Sequence, residues 1–306
     1  MTIRIGSRGS QLALWQANHI AQLLRGLGHT VEIEIIRTTG DRMQQPGFEV
    51  PAGLDAKGIF IKEIEEALAD GRIDLAVHSL KDLPTQLDAR FTLAAIPMRA
   101  DARDAWVCEP FWALHTLPEG GRIGTTSPRR RAQILAMRPD VTFVELRGNV
   151  DTRLRKLEEG VCDALVLACA GLDRLGRTES VHQRFAIDEL TPAPGQGALA
   201  LETRADHAEL IAALLPLEHA ETRFATTAER AFLAAMGGGC ELPLGAHCLA
   251  TAHGWTLHAQ VLTVDGERSV QVAMGSVAQE HAETLGRRVA VELIARGALG
   301  LLSAEG

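Results

Sequence analysis

No apolar run in the 306 residues approaches the ~18–20 that a membrane-spanning helix needs. Met1 leads directly into Thr2-Ile3-Arg4-Ile5, a strand pattern, without the basic start, apolar stretch and small-residue cleavage site of a signal peptide. The expectation is a protein that is neither exported nor membrane-bound and works in the cytoplasm. Cysteine is scarce. Cys108, Cys162, Cys169, Cys240 and Cys248 are odd in number and form no Cys-x-x-Cys, which fits free thiols in a reducing compartment. Positive charge is short as well. With 31 basic against 39 acidic side chains the formal charge is −8, so nucleic acid is not an expected partner and any anion must be met locally. Lysine is confined to Lys57, Lys62, Lys81 and Lys156.

What is present is the composition of a globular protein, 46% hydrophobic and 23% charged. At about 150 residues per domain the length suggests two domains, but the pattern along the chain favours three. Residues up to 97 alternate short β-branched runs with amphipathic stretches: Ile3 to Ile5, Leu12 to Leu24, Val31 to Ile36, Ile59 to Leu68 and Asp74 to His78. That alternation predicts βαβ units around a largely parallel sheet. Ile61, Ile64, Ala67 and Leu68 share one helix face. A similar rhythm restarts after Asp101, with strands at Ala105 to Cys108, Arg122 to Thr126, Val141 to Leu146 and Ala164 to Ala168, and helices at Arg129 to Met137 and Val150 to Glu159. Thr191-Pro192-Ala193-Pro194-Gly195-Gln196-Gly197 breaks the rhythm and marks a crossover. Gly197 to Glu202 reads as a returning strand. A helix from Glu218 to Met236 stops at Gly237-Gly238-Gly239. Three strands follow, Gly245 to Ala252, Trp255 to Val264 and Ser269 to Met274, then a helix from Ala278 to Arg296.

Candidate chemistry gathers where strands end. His78-Ser79-Leu80-Lys81-Asp82-Leu83-Pro84 lies past a buried strand, the position at which open α/β sheets bind ligands. Pro84 keeps Leu83 out of the helical region, so the segment is a fixed turn. On residue types alone Asp82 is either a reactive carboxylate or a side chain spent on its own turn. In Gly124-Thr125-Thr126-Ser127-Pro128-Arg129-Arg130-Arg131, Ser127 is an N-cap and Pro128 the first helical residue, and the free N–H groups and hydroxyls form an anion site. The three arginines oppose the helix dipole by roughly 0.3–1 kcal/mol each, which a bound anion would reverse. A solvated basic end is the alternative. Arg147-Gly148-Asn149 repeats the arrangement, and a buried stripe of Val150, Leu154, Leu157 and Val161 would leave Arg147 and Arg153 free to face the cleft. Ser7-Arg8-Gly9-Ser10 sets a further arginine beside a cap. Cys240, after three glycines, is either an accessible thiol or a small core residue. Cys240, His247, Cys248 and His253 match no usual zinc spacing, so no metal is expected.

Ser7-Arg8-x-Ser10-x-Leu12-Ala13, His78-Ser79-x-Lys81-Asp82-x-Pro84, the Thr-Ser-Pro-Arg-Arg run, Arg147-Gly148-Asn149, Gly171-Leu172-x-Arg174-Leu175, Gly195-Gln196-Gly197 and Gly238-Gly239-Cys240 together resemble the porphobilinogen deaminase (hydroxymethylbilane synthase) family, in the family's order along nearly the whole chain. The resemblance implies two α/β lobes similar to type II periplasmic binding proteins, residues 1–97 with 197–216 and residues 98–196. A small α+β domain with a three-stranded antiparallel sheet, residues 217–306, would carry the cysteine. It implies a transferase that condenses four porphobilinogens head to tail into 1-hydroxymethylbilane with loss of ammonia, primed by a dipyrromethane cofactor held as a thioether on Cys240. The expected assembly state is a monomer.

By motif match, Lys81, Thr125, Ser127, Arg129, Arg130 and Arg147 would hold cofactor carboxylates, and Arg8, Ser10, Arg153 and Arg174 the incoming ring. Arginine forks suit the acetate and propionate of each pyrrole. Asp82 matches the family's catalytic aspartate, whose carboxylate stabilises charge on a pyrrole N–H and passes protons. Two positions depart from the family pattern. Gly53 stands where many bacterial relatives have a lysine, leaving Lys57 alone to serve any lid over the substrate, and Glu241 stands where relatives often have glutamine. Two other classes compete: a non-catalytic two-lobed protein for small anions, and a thiol enzyme with Cys240 as a transient nucleophile.

Overall fold

The structure is a computed structural model and describes residues 1–39, 61–108, 113–238 and 242–303. Lys57 and Cys240, with Gly53 and Glu241, lie outside the described residues. In chain order the elements begin with β1 (Thr2–Ser7), α1 (Gln11–Gly26), β2 (Thr30–Ile35), α2 (Lys62–Ala69), β3 (Leu75–Ser79) and β4 (Phe91–Ala95). There follow β5 (Asp104–Cys108), β6 (Arg122–Gly124), α3 (Pro128–Met137), β7 (Thr142–Val144), α4 (Val150–Glu158), β8 (Ala164–Ala168), α5 (Cys169–Arg174) and β9 (Gln183–Arg184). The chain then returns through β10 (Leu199–Arg204) and α6 (Ala208–Leu214) to α7 (Ala220–Ala235). It ends with β11 (Leu244–Thr251), β12 (Gly254–Leu262), β13 (Ser269–Gly275), α8 (Ala282–Ala295) and α9 (Ala298–Ser303).

These elements form two compact units, Met1–Arg99 with Ala198–Thr222, and Ala100–Gly197 with Arg223–Gly306. In the first, the sheet order is β2-β1-β3-β10-β4. β1 runs parallel to β2 and β3, while β10 is antiparallel to β3 and β4. Ile3, Ile5, Leu75 and Leu201 bury one face of this sheet against Ala17, Ile20, Ala21 and Leu24 of α1, four positions at helical spacing. The other face takes Ile64, Ala67 and Leu68 of α2. Each fully buried aliphatic side chain contributes roughly 1.5–3 kcal/mol.

The second unit repeats the plan. Its sheet order is β7-β6-β8-β5-β9, with β6 parallel to β7 and β8 and β5 antiparallel to β8 and β9. The same unit contains the antiparallel meander β11-β12-β13. Leu244, Ala246, Leu257 and Val261 of the meander form one core with Ala228 and Phe232 of α7 and Leu285, Val289 and Leu293 of α8. The expected α/β class with a small C-terminal antiparallel sheet is what the chain adopts.

Two local expectations are corrected. α4 ends at Glu158, Gly160 takes a φ of 71°, and Val161 is 37% exposed. The stripe therefore consists of Val150, Leu154 and Leu157, only partly buried against Leu146, Leu165 and Leu167. The last long helix starts at Ala282 rather than Ala278, because Gln279 takes a φ of 58° and the Glu280 carboxylate accepts the Val277 N–H, closing a turn there.

Candidate active site

In the first unit β1 and β3 are parallel neighbours, Ile5 beside Leu75 and Gly6 beside Ala76, so the segments after them leave the sheet at one edge. Half-buried Arg8 follows β1, and Ser10 caps α1 by accepting the Ala13 N–H at 3.3 Å. β3 is followed by one 3₁₀ turn, Leu80–Asp82, with Leu83 extended before Pro84, the fixed turn expected. Leu80 and Leu83 are buried among Ile61, Ile96, Ala198 and Ala200. That anchorage leaves Lys81 half-buried and Asp82 exposed. The turn is held by the Leu80 N–H on the Ala198 carbonyl and the Leu83 N–H on the Leu80 carbonyl, and by Gln16 Nε2, which donates to Ser79 Oγ at 2.9 Å. The Asp82 carboxylate accepts no hydrogen bond from any described residue. It is therefore not spent on its own turn.

In the second unit β6, β7 and β8 are parallel, and the candidate residues again follow their carboxyl ends. Ser127 caps α3, its Oγ accepting the Arg130 N–H at 3.4 Å with Pro128 in the first turn, and buried Thr125 accepts the Ser127 N–H at 3.2 Å through Oγ1. The arginines after the cap do not form a solvated basic end. Arg129 Nη1 donates to Asp104 Oδ2 at 2.7 Å and to the Thr191 carbonyl at 2.7 Å. Arg130 gives Nε and Nη2 to Asp104 Oδ1 and Nη1 to the Val166 carbonyl. All three side chains are buried, Asp104 completely. Burial alone would raise the Asp104 carboxyl, but the two guanidinium charges and their hydrogen bonds outweigh it and hold the group well below the usual carboxylate range. Arg131 instead lies over the Phe143 ring, 5.1 Å from its centroid.

Arg130 thus has every nitrogen engaged, whereas Arg129 keeps Nε and Nη2 unbonded to described residues. Arg153 donates Nε to the Gly148 carbonyl at 3.0 Å and has no carboxylate partner among the described residues. Burial, reinforced by the Arg130 charge, pushes its guanidinium down to about 10. Arg129 and Arg130 therefore share one carboxylate, and Arg153, which feels the Arg130 charge, has none among the described residues. Arg147 is exposed and bonds no described residue. Asn149 caps α4 by accepting the Thr152 N–H at 2.9 Å. Arg174 at the end of α5 donates Nη2 to the Gly197 carbonyl at 2.8 Å, and burial pushes it down to about 10 against the opposing pull of Asp173.

Several residues that hold this cluster in place carried no functional reading in the sequence. Gln133 pairs with both the N–H and the carbonyl of Thr191, and Gln196 donates to the Ala102 carbonyl and to Asp104. Fully buried Glu229 accepts the Gly195 and Cys248 N–H groups. Gly197 has a φ of 87°, and a Cβ there would stand 2.7 Å from the Ala100 carbonyl oxygen. The available signal was a polar side chain at an otherwise apolar position, Asp104 opening a buried strand.

Cys108, Cys162, Cys169 and Cys248 are buried, and burial pushes the Cys162 and Cys169 thiols up to about 11 and about 12, which makes them inert. Among the described residues no group of three or more His, Cys, Asp or Glu side chains is placed to hold a metal, and no helix is long and apolar enough to cross a membrane. A cavity of about 270 Å³ between Ile187, Asp188, Thr191 and strands β12 and β13 includes none of the candidate residues.

Residues 3–212 match the family model described as porphobilinogen deaminase, dipyromethane cofactor binding domain, and residues 224–295 match the porphobilinogen deaminase C-terminal domain. The porphobilinogen deaminase of Chromobacterium violaceum is 46% identical over 304 residues, covering 99% of this chain and 97% of that protein. That of Roseiflexus castenholzii is 45% identical over 304 residues, covering 99% of each. Among solved structures, a TRAP periplasmic solute binding protein from Desulfovibrio salexigens shares 12% identity at a TM-score of 0.43, over 73% of this chain and 74% of that one, a loose likeness. On the two domain matches and the near-full-length identities, the chain belongs to the porphobilinogen deaminase family.

Proposed function

We propose that this chain carries out the hydroxymethylbilane synthase reaction with Asp82 as its catalytic carboxylate and Cys240 as the attachment point of the cofactor. The family activity is the stepwise condensation of four porphobilinogens into 1-hydroxymethylbilane, and a non-catalytic anion-binding protein is not favoured. Porphobilinogen is the substrate and the dipyrromethane group the resident cofactor.

The observation that carries the reading is a local cation surplus: Asp104 pairs with both Arg129 and Arg130, and Arg153, which feels the Arg130 charge, has no carboxylate among the described residues. A buried guanidinium without a carboxylate is costly, and a ligand carboxylate removes that cost. The donor set fits a group bearing acetates and propionates. Arg129 would give Nε and Nη2, Arg147 its whole fork, and Thr125, Ser127 and Lys81 neutral and charged donors. Arg130, saturated by Asp104 and Val166, would act through its charge. When bound, the dipyrromethane supplies the free pyrrole carbon on which the first new ring is added. Arg8, Ser10, Arg153 and Arg174 would hold the acetate and propionate of the incoming porphobilinogen, with Lys57 as a further cation.

Asp82 would stand beside the pyrrole N–H of porphobilinogen. As the carbon–nitrogen bond of the aminomethyl group breaks and ammonia leaves, positive charge spreads to that N–H, and an ionised carboxylate stabilises it. The same carboxylate would take the proton released when the new carbon–carbon bond forms. The chain would work as a cytoplasmic monomer without nucleic acid, arranged as residues 1–97 with 197–216, residues 98–196 and residues 217–306. Intact mass tests the attachment. The purified protein should exceed its sequence mass by two linked pyrrole units and colour with Ehrlich's reagent, and Cys240→Ala should remove both. Bilane synthesis by a protein of unmodified mass would refute it.

A further inference from the structure

His78 belongs to the His-Ser-x-Lys-Asp motif yet has no part in the roles above. Its imidazole is buried, and Nε2 lies 2.9 Å from Oε2 of Glu202. Glu202 is fully buried, and its Oε1 has no hydrogen-bond partner. Two strands supply the pair. His78 on β3 lies opposite Ala200, and Glu202 on β10 lies opposite Ala76, so the side chains tie the strands diagonally. The tie falls one residue before Ser79, where Gln16 is bonded, and two before Leu80, whose N–H is held by Ala198. Half-buried Glu65 on α2 also feels both members. Burial and the Glu202 charge raise its carboxyl, His78 lowers it, and Asp88 and Arg90 act more weakly.

Packing alone does not require such a pair. By strand alternation His78 shares the face of Ala76, whose surroundings are Ile64, Ile73 and Phe91. Buried ion pairs can commonly be exchanged for apolar residues of similar volume with neutral or favourable effect on stability. What apolar groups do not supply is a directional bond between two strands.

We propose that His78, held by Glu202, is a positioning residue that fixes how β3 ends and thereby where the Asp82 carboxylate stands. The inference rests on the reading of Asp82 as the catalytic carboxylate. A displacement of ~1 Å caused by a change away from the chemistry can cost about 10²-fold in rate.

The test uses the holoenzyme, with cofactor content checked by intact mass and Asp82→Asn as reference. The double variant His78→Leu/Glu202→Leu is expected to fold, keep the cofactor mass and lose at least about tenfold in kcat with an unchanged KM for porphobilinogen. After brief exposure to porphobilinogen its mass spectrum should show mostly enzyme without added rings. His78→Gln, which can still donate to Glu202, is expected to recover most of the rate. A double variant with wild-type kcat overturns the proposal, as does a His78→Gln variant as slow as the double. If the double variant does not fold, His78→Asn, too short to reach Glu202, replaces it under the same criteria. Normal turnover in Asp82→Asn would instead remove the reading of Asp82 on which the inference rests.

Discussion

Asp104 Oδ1 accepts two hydrogen bonds from Arg130, at 3.0 Å from Nε and 2.6 Å from Nη2, while its Oδ2 takes Arg129 at 2.7 Å. One buried carboxylate thus orients both arginines that follow the Ser127 cap, and Gln196 of the crossover donates to the same oxygen as Arg130. The start of α3 thus carries two oriented guanidinium groups, with Nε and Nη2 of Arg129 unbonded to described residues.

Asp104→Asn is expected to destabilise the protein by about 3–5 kcal/mol, the cost of leaving buried charge without its partner. The sign of the pH dependence follows from the depressed carboxyl. Its stabilisation is complete above the unfolded carboxylate value near ~3.9 and is lost progressively as pH falls from there through the lower folded value. The stability gap between wild type and variant should stay constant above about pH 5 and narrow below about pH 4. Denaturant unfolding at several pH values measures it, and a gap that widened on acidification would contradict the assignment.

Asp82→Asn is expected to leave folding and cofactor mass intact while lowering turnover by at least ~10², as when one preorganised charge stabiliser is lost. Asp82 is exposed and bonds no described residue, so a stability effect is not expected. Steady-state rates and intact mass on one preparation check both statements. Near-normal turnover would show that the exposed carboxylate has no part in the chemistry.

Much of this site was legible in the sequence because its signals are local. Ser10, Ser127 and Asn149 each cap the helix that their position predicts, and Pro84 keeps Leu83 extended. The unread part depends on distant partners. Asp104 meets Arg129 across 25 residues, and His78 meets Glu202 across 124. No spacing rule links such positions, because their meeting depends on which strands become neighbours. Val161 falls outside the stripe for a different reason: the hydrophobic period continues past Gly160, but the helix does not.

The central claim, that Arg129 and Arg147 secure the cofactor while Arg8 and Arg174 serve the incoming ring, is tested most directly by native mass spectrometry after brief exposure to porphobilinogen. Each lost charge-assisted contact should cost about 1.5–3 kcal/mol. Arg129→Gln and Arg147→Gln should yield largely apo protein, with Arg147 the cleaner case because it is exposed and supports no described contact. Arg8→Gln and Arg174→Gln should keep the cofactor mass and stall as ladders carrying one, two or three added rings. The same ladder from all four variants, on proteins equally loaded with cofactor, would contradict the division.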